Sequence, residues 1–224
     1  PGTNNMNTIV VQKATYGFGK YLLEKDALAC QKGVVIAHDN RKNSDVFTMQ
    51  AAKVLAALGI KTYIFDALRP TPELSFAVRY LKAAGGIMIT ASHNPKEYNG
   101  YKIYNEDGCQ LILEQSNQVL EKINAIEDEL NIPSVAQSPL INILSKDIDE
   151  TYYQMVLNTQ IRKEIDHSSL KIVYSPQHGT GFIPVMEVLK RAKYQVYEVK
   201  EQSYPSPTFE NTLSPNPEEK EAYT

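Results

Sequence analysis

The sequence predicts an α/β protein: a mixed, mostly parallel sheet sandwiched by helices, followed by a second, incomplete α/β unit. Three observations carry that expectation. Continuous apolar runs such as Gly33-Val34-Val35-Ile36-Ala37 read as strands buried on both faces. Between such runs lie stretches with apolar residues at helical spacing, for example Phe47, Ala51, Val54 and Leu58. The two kinds of stretch alternate, and strand–helix–strand alternation builds parallel sheets through crossover helices.

Taken in order, Lys13 to Leu28 carries Tyr16, Phe18, Tyr21 and Leu22, which predicts a helix interrupted by Gly17 and Gly19. The strand at 33–37 follows. Ser44 is expected to N-cap the helix with the Phe47–Leu58 stripe, and Gly59 to end it. Ile60 to Phe65 is the next strand. Thr71-Pro72 opens another helix, with Leu74, Ala77, Val78 and Leu81 on one stripe. Ile87 to Ile89 is a buried strand that breaks into the polar loop Thr90-Ala91-Ser92-His93-Asn94-Pro95. Asn99-Gly100 signals a tight turn into an antiparallel strand, Tyr101-Lys102-Ile103-Tyr104. A strand at Cys109–Leu113 and a helix holding Val119, Ile123, Ile126 and Leu130 complete the first unit.

Residues from about Asn131 to Leu144 have the proline, serine and mixed polarity of a domain boundary, so we divide the chain into residues 1–140 and 141–224. The pattern then restarts: a helix at Asp149–Ile161, a strand at Leu170–Tyr174, and a glycine-containing turn, Ser175-Pro176-Gln177-His178-Gly179-Thr180-Gly181. A helix at Phe182–Arg191, a strand at Tyr194–Val199 and a proline-rich extension from Pro205 follow. The chain opens at Pro1-Gly2-Thr3 without an initiator methionine and stops soon after Pro215-Asn216-Pro217-Glu218-Glu219. The expectation is a fragment of a longer protein.

With 224 residues, 42% of them hydrophobic, the chain can bury a substantial core. A net charge of −3 leaves no electrostatic footprint for nucleic acid or an anionic membrane. No apolar run approaches a membrane span and the first residues do not read as a signal peptide. The two cysteines, Cys30 and Cys109, make neither a disulfide framework nor a metal spacing and read as small buried residues. A reduced, cytoplasmic setting is expected.

The chemistry concentrates at Ser92, where a buried strand opens out, the position at which open α/β proteins place their sites. The hydrolase elbow Gly-x-Ser-x-Gly is excluded, because Thr90, Ala91, His93 and Asn94 surround Ser92. A serine that carries a phosphoryl group needs polar groups around a dianion, charge neutralisation, and a nearby acid/base for the acceptor hydroxyl. Thr90, His93 and Asn94 could supply the first, and Lys102 or His93 the last. Lys102 also reads as a solvated charge on an edge strand, and His178 as a turn-stabilising residue. A nucleotide-binding oxidoreductase is disfavoured, since no Gly-x-Gly-x-x-Gly follows a predicted strand.

The run Thr90-Ala91-Ser92-His93-Asn94-Pro95 with Asn99-Gly100-Tyr101-Lys102 resembles the phosphoserine loop of the α-D-phosphohexomutases, the phosphoglucomutase and phosphomannomutase superfamily. Gly2-Thr3 is similar to that family's N-terminal glycine-threonine segment, and His38-Asp39-Asn40-Arg41 to its aspartate-x-arginine turn. His178-Gly179-Thr180-Gly181 and Ser214-Pro215-Asn216-Pro217-Glu218 resemble parts of its second domain.

The resemblance implies that Ser92 is phosphorylated, gives a phosphoryl group to the substrate and takes one back. It implies that Lys102 is a general acid/base, that His93 lies beside the reacting hydroxyl, and that Arg41 faces the phosphoserine. Substrate contacts are implied for Arg41, Thr3 and Asn94. Magnesium would bind through phosphorylated Ser92, with its remaining ligands in an aspartate-rich loop downstream of this chain. Asn5 and Asn7 stand where relatives carry a phosphate-binding arginine. The expected reaction interconverts hexose 1- and 6-phosphates through a bisphosphorylated sugar, with glucose 1,6-bisphosphate as intermediate and activator. Glucose phosphate is the first choice of substrate and mannose phosphate the alternative. A non-catalytic homologue that only holds sugar phosphate is the remaining reading, and this chain alone is expected to be inactive.

Overall fold

A computed structural model describes residues 2–223, with side chains described for residues 4–222. The chain begins with a one-turn helix α1 (Gly2–Asn5) and continues in α2 (Thr8–Lys25), α3 (Ala29–Lys32), β1 (Val34–His38), α4 (Ser44–Ala57), β2 (Thr62–Ile64), α5 (Thr71–Tyr80), β3 (Gly85–Ile89), β4 (Tyr101–Tyr104), α6 (Leu113–Asn124) and β5 (Ile141–Ile143). The remainder forms α7 (Asp147–Asn158), β6 (Lys171–Tyr174), α8 (Phe182–Arg191) and β7 (Gln195–Glu198).

The first sheet has five strands in the order β4-β3-β1-β2-β5. All neighbours are parallel except β3 and β4, which are antiparallel. This is the mixed, mostly parallel sheet flanked by helices that the alternation predicted. Side chains alternate across a strand, so Val34 and Ile36 enter one core and Val35 and Ala37 the other. The first core includes Phe18 and Leu22 of α2, Phe47 and Leu55 of α4, and Val119 of α6. The second includes Leu74 and Ala77 of α5 and Tyr152 of α7.

Several expectations need correction. Gly17 and Gly19 do not interrupt α2. They let neighbours approach: a Cβ on Gly17 would clash with Ile123 Cγ1, and one on Gly19 would meet Leu58 Cδ1 at 2.5 Å. Ser44 is not the cap of α4. Asn43 holds that position at φ 66°, and Ser44 turns its hydroxyl to Asp39 instead. The strand expected at Cys109–Leu113 reduces to a single bridge between Tyr104 and Gln110, and α6 begins at Leu113. Ile126 and Leu130 lie beyond its end, and Cys109 is exposed rather than buried. Most of 131–144 lacks regular structure, but β5 inside it pairs with β2 and supplies the sheet edge.

In the second unit β6 and β7 pair in parallel, joined through α8. Val173 and Tyr197 stand opposite each other and are 74% and 51% exposed, so one face of this small sheet is open. α7 packs on both α5 and α8 and joins the two units.

Candidate active site

The site forms where the carboxyl ends of β1 and β3 emerge from the first sheet. Three residues after Ile89 ends β3, the backbone at Ser92 turns into the left-handed region, φ 57°, a strained conformation for a residue with a Cβ. That turn leaves Ser92 exposed, and no hydrogen bond engages its hydroxyl among the described residues.

What holds the strained loop is a buried polar network. The Ser92 amide donates to Thr90 Oγ1 at 3.0 Å, and Thr90 Oγ1 donates to Asp39 Oδ2 at 2.6 Å. Asp39 Oδ1 accepts from the Arg41 amide at 2.9 Å and from the Ser44 hydroxyl at 2.8 Å. Asn99, at the far end of the loop, donates to Ser44 Oγ at 2.8 Å. Both ends of the 90–99 loop are thereby tied to the 39–44 turn. Gly100 closes the loop: its carbonyl accepts from the Thr90 amide at 3.0 Å, and a Cβ there would meet Thr90 O at 2.6 Å.

Arg41 is the centre of this network. Its side chain is 1% exposed. Nη1 donates to Pro95 O at 2.7 Å and Tyr98 O at 2.9 Å, and Nη2 to Ser92 O at 2.8 Å and Asn94 O at 2.6 Å. Nε pairs with Asp39 Oδ2 at 3.2 Å. A guanidinium has five N–H donors, so every one is committed. Burial pulls its pKa below the usual arginine value, and the Asp39 carboxylate opposes that shift. Arg41 also lines the cavity at Ser92. Its donors face loop carbonyls, and Arg41 clamps the loop.

Asn94 is likewise committed within the loop: Nδ2 donates to Ala91 O at 2.9 Å. His93 is exposed and stands beside Ser92 on the same cavity, with no hydrogen-bond partner among the described residues. Lys102 lies on β4 opposite Met88 of β3, half-buried and without an ion pair among the described residues. Met88 lines the Ser92 cavity, whereas Lys102 lines a separate cavity of about 320 Å³ beside Leu111 and Ile123. The structure therefore brings Ser92 and His93 together and sets Lys102 one strand away. The Thr3 side chain lies outside the described residues. Asn7 has a local role, capping α2 by accepting from the Val10 amide at 3.0 Å.

The cavity at Ser92 has a volume of about 380 Å³. Thr90, Ser92 and His93 line it from the first unit, and Gln177, Gly179 and Thr180 from the second. His178 does not line it. The imidazole is fully buried, with Nδ1 3.0 Å from Tyr204 O and Nε2 accepting from the Asn211 amide at 3.3 Å. That pairing requires the proton on Nδ1.

Two residues escaped the sequence reading. Thr90, read only as a possible phosphate contact, is the bridge between Asp39 and Ser92. Phe209, in the proline-rich extension, packs over Arg41 with the guanidinium carbon 5.6 Å from the ring centre. The available signal was a phenylalanine in a mostly polar segment.

Among the described residues, no group of three or more His, Cys, Asp or Glu side chains is placed to hold a metal ion. No helix of the described residues is long and apolar enough to cross a membrane.

Comparison with known proteins gives the family. The model described as "Phosphoglucomutase/phosphomannomutase, alpha/beta/alpha domain I" matches residues 2–130, and the corresponding domain II model matches residues 150–224. A phosphoglucomutase of Staphylococcus haemolyticus is 39% identical over 99% of this chain, and a phosphomannomutase of Mycoplasmoides pirum is 34% identical over 100% of this chain. The chain spans 40% and 42% of the length of those two relatives. A structure titled putative phosphomannomutase from Thermus thermophilus aligns over 93% of this chain and 45% of its own, at a TM-score of 0.76 and 27% identity. With both domain models matched in order along nearly its whole length, this chain belongs to the phosphoglucomutase/phosphomannomutase family.

Proposed function

We propose that this chain is the phosphoryl-carrying part of an enzyme, a phosphohexomutase that interconverts hexose 1-phosphate and hexose 6-phosphate. The observation that carries the reading is Ser92: an unengaged hydroxyl on a strained turn, held at the mouth of a cavity walled by both units. In the proposed cycle phosphorylated Ser92 donates to a free sugar hydroxyl. The bond from phosphorus to Ser92 Oγ breaks as one to the sugar oxygen forms, and the hydroxyl proton passes to Lys102 or His93. The bisphosphorylated sugar then turns over, and its other phosphate returns to Ser92 Oγ.

In this reading the clamp preorganises the transfer. Catalysis of phosphoryl transfer is mostly positioning and charge neutralisation, so a loop fixed from Asp39 and Arg41 serves the first need. Asn94 and the first-unit segment around Thr3 are kept as substrate contacts that form on binding. We place the division between the units near residue 140, with β5 as chain that returns to the first sheet. Magnesium is the ion such chemistry would use, with phosphorylated Ser92 as one ligand. The described carboxylates do not fit the rest of a magnesium site, so no step is derived through it. Glucose phosphate is the first substrate, in keeping with the names of the staphylococcal relatives, and mannose phosphate is the alternative.

The test is phosphopeptide mapping of the longer protein expected to contain this chain, after incubation with magnesium and glucose 1,6-bisphosphate. Label on Ser92 is expected. Label elsewhere with Ser92 clean would overturn the assignment, and sugar phosphate bound without any label would favour a binding homologue.

A further inference from the structure

We infer that the segment 204–211 of the second unit is a strap that seats Phe209 on Arg41, making Phe209 a positioning residue for the Ser92 loop. The inference rests on the mutase reading for its consequence in catalysis, but its geometry stands apart from that reading.

The strap is anchored at both ends by one buried side chain. His178 Nδ1 pairs with Tyr204 O at 3.0 Å and Nε2 accepts from the Asn211 amide at 3.3 Å, while the Tyr204 ring meets the imidazole edge-on at 4.9 Å. The Ser206 amide donates to His178 O at 3.3 Å. Inside the strap the Glu210 carboxylate accepts from the hydroxyls of Ser206 and Thr208, the latter at 2.6 Å. From this frame two contacts reach the first unit: Asn40 Nδ2 donates to Ser206 O at 2.6 Å, and Phe209 covers the Arg41 guanidinium.

Phe209 adopts φ 52° and is 8% exposed. A bulky residue in the left-handed region is a genuine outlier, and the strap's tethers over-determine it. The strain has a local return. A ring over the guanidinium keeps water from the donors that bind Ser92, Asn94, Pro95 and Tyr98, and a desolvated cation–π contact is stronger than an exposed one. Docking of the second unit and order in the Ser92 loop are thus coupled through one cation–π pair.

Hydrogen exchange on the 224-residue chain tests the coupling, with F209L to keep apolar bulk without a π face and F209Y to keep the ring. In F209L, exchange of the peptide covering residues 90–100 should rise roughly three- to thirtyfold, the fold-change of a lost, partly desolvated cation–π contact, while peptides from β1 and β3 stay unchanged. F209Y should behave as wild type. Unchanged exchange at 90–100 in F209L, equal opening of β1 and β3, or F209Y matching F209L would each overturn the strap. In the longer protein F209L should lower kcat with KM held. Failure to label Ser92 in the wild-type protein would remove the mutase reading, and the exchange comparison would still decide the strap.

Discussion

Arg41 Nη2 donates to the carbonyl of Ser92 at 2.8 Å, so Ser92 is positioned through its main chain while its hydroxyl is left unengaged. The neighbouring carbonyls of Asn94, Pro95 and Tyr98 share the same guanidinium. A loop with little apolar burial of its own is therefore ordered by one buried cation.

Replacing that cation tests the arrangement directly. Lysine offers three donors on a compact head and cannot match a planar fork that serves four carbonyls and a carboxylate. Arg41→Lys should cost about 2–4 kcal/mol of stability, the usual scale for breaking a buried charge network, and should loosen the 90–100 loop before the sheet. Thermal melting with hydrogen exchange measures both. A variant that melts with wild type and exchanges like it would show the clamp to be dispensable.

Gly100 makes a second, steric prediction. Its missing Cβ leaves room for Thr90 O, which would otherwise lie 2.6 Å away, and the obstructing atom is backbone that cannot rotate aside. Gly100→Ala should separate the loop ends, weaken the 3.0 Å bond from the Thr90 amide, and cost about 1–3 kcal/mol as an overpacked site. Denaturant titration gives the loss. Stability equal to wild type would mean that the loop ends are free to part.

These two cases show what the sequence could and could not reveal. Buried strands and helix faces were legible because burial on two faces imposes apolar runs and period-3.6 stripes, as in β1 and α4. The loop was legible as a motif, and Ser92 within it. The carbonyl contacts of Arg41 were not, because a charged residue in a turn reads the same whether or not it also meets backbone carbonyls. The strand expected at Cys109–Leu113 failed for a different reason. The chain folds back on β4, bridges it once at Gln110, and turns away into α6 at Leu113 before a ladder can extend. β5 was hidden in a proline-rich segment because a three-residue edge strand carries no period.

Lys102 divides chemistry from packing. It is half-buried on an edge strand with no ion pair among the described residues, so its removal should change stability by no more than about 0.5 kcal/mol. If it moves the sugar-hydroxyl proton in the longer protein, Lys102→Ala should lower turnover by roughly 10²–10⁴-fold and slow labelling of Ser92 by a bisphosphate donor. Turnover near wild type would reduce Lys102 to an edge charge and leave His93, which shares the Ser92 cavity, as the acid/base.

The last prediction concerns the joint between the units, where Glu73 of α5 is fully buried and neither carboxylate oxygen has a hydrogen-bond partner among the described residues. Burial, with Asp149 of α7 nearby, pushes its pKa up to about 8 from the ordinary 4.5, and Arg69 only partly opposes this at 3.9 Å. Arg69 is engaged chiefly by Asp149, at 2.7 Å, and by Asp66 at 2.8 Å. Burial disfavours the charge on Arg69, but these carboxylates outweigh it and raise its pKa. A carboxyl whose folded-state pKa lies above its unfolded value holds more protons when folded, so ionisation favours unfolding. The contribution of Glu73 is therefore fully present below pH 4.5 and is lost as pH rises through about 8. Glu73→Gln keeps the shape of the protonated form and cannot ionise, so it should flatten the fall in stability between those limits and gain on wild type at pH 8. Denaturant midpoints of both chains across pH 5 to 8.5 measure this. Parallel curves for wild type and variant would mean that Glu73 stays ionised in the fold and that Arg69 compensates it.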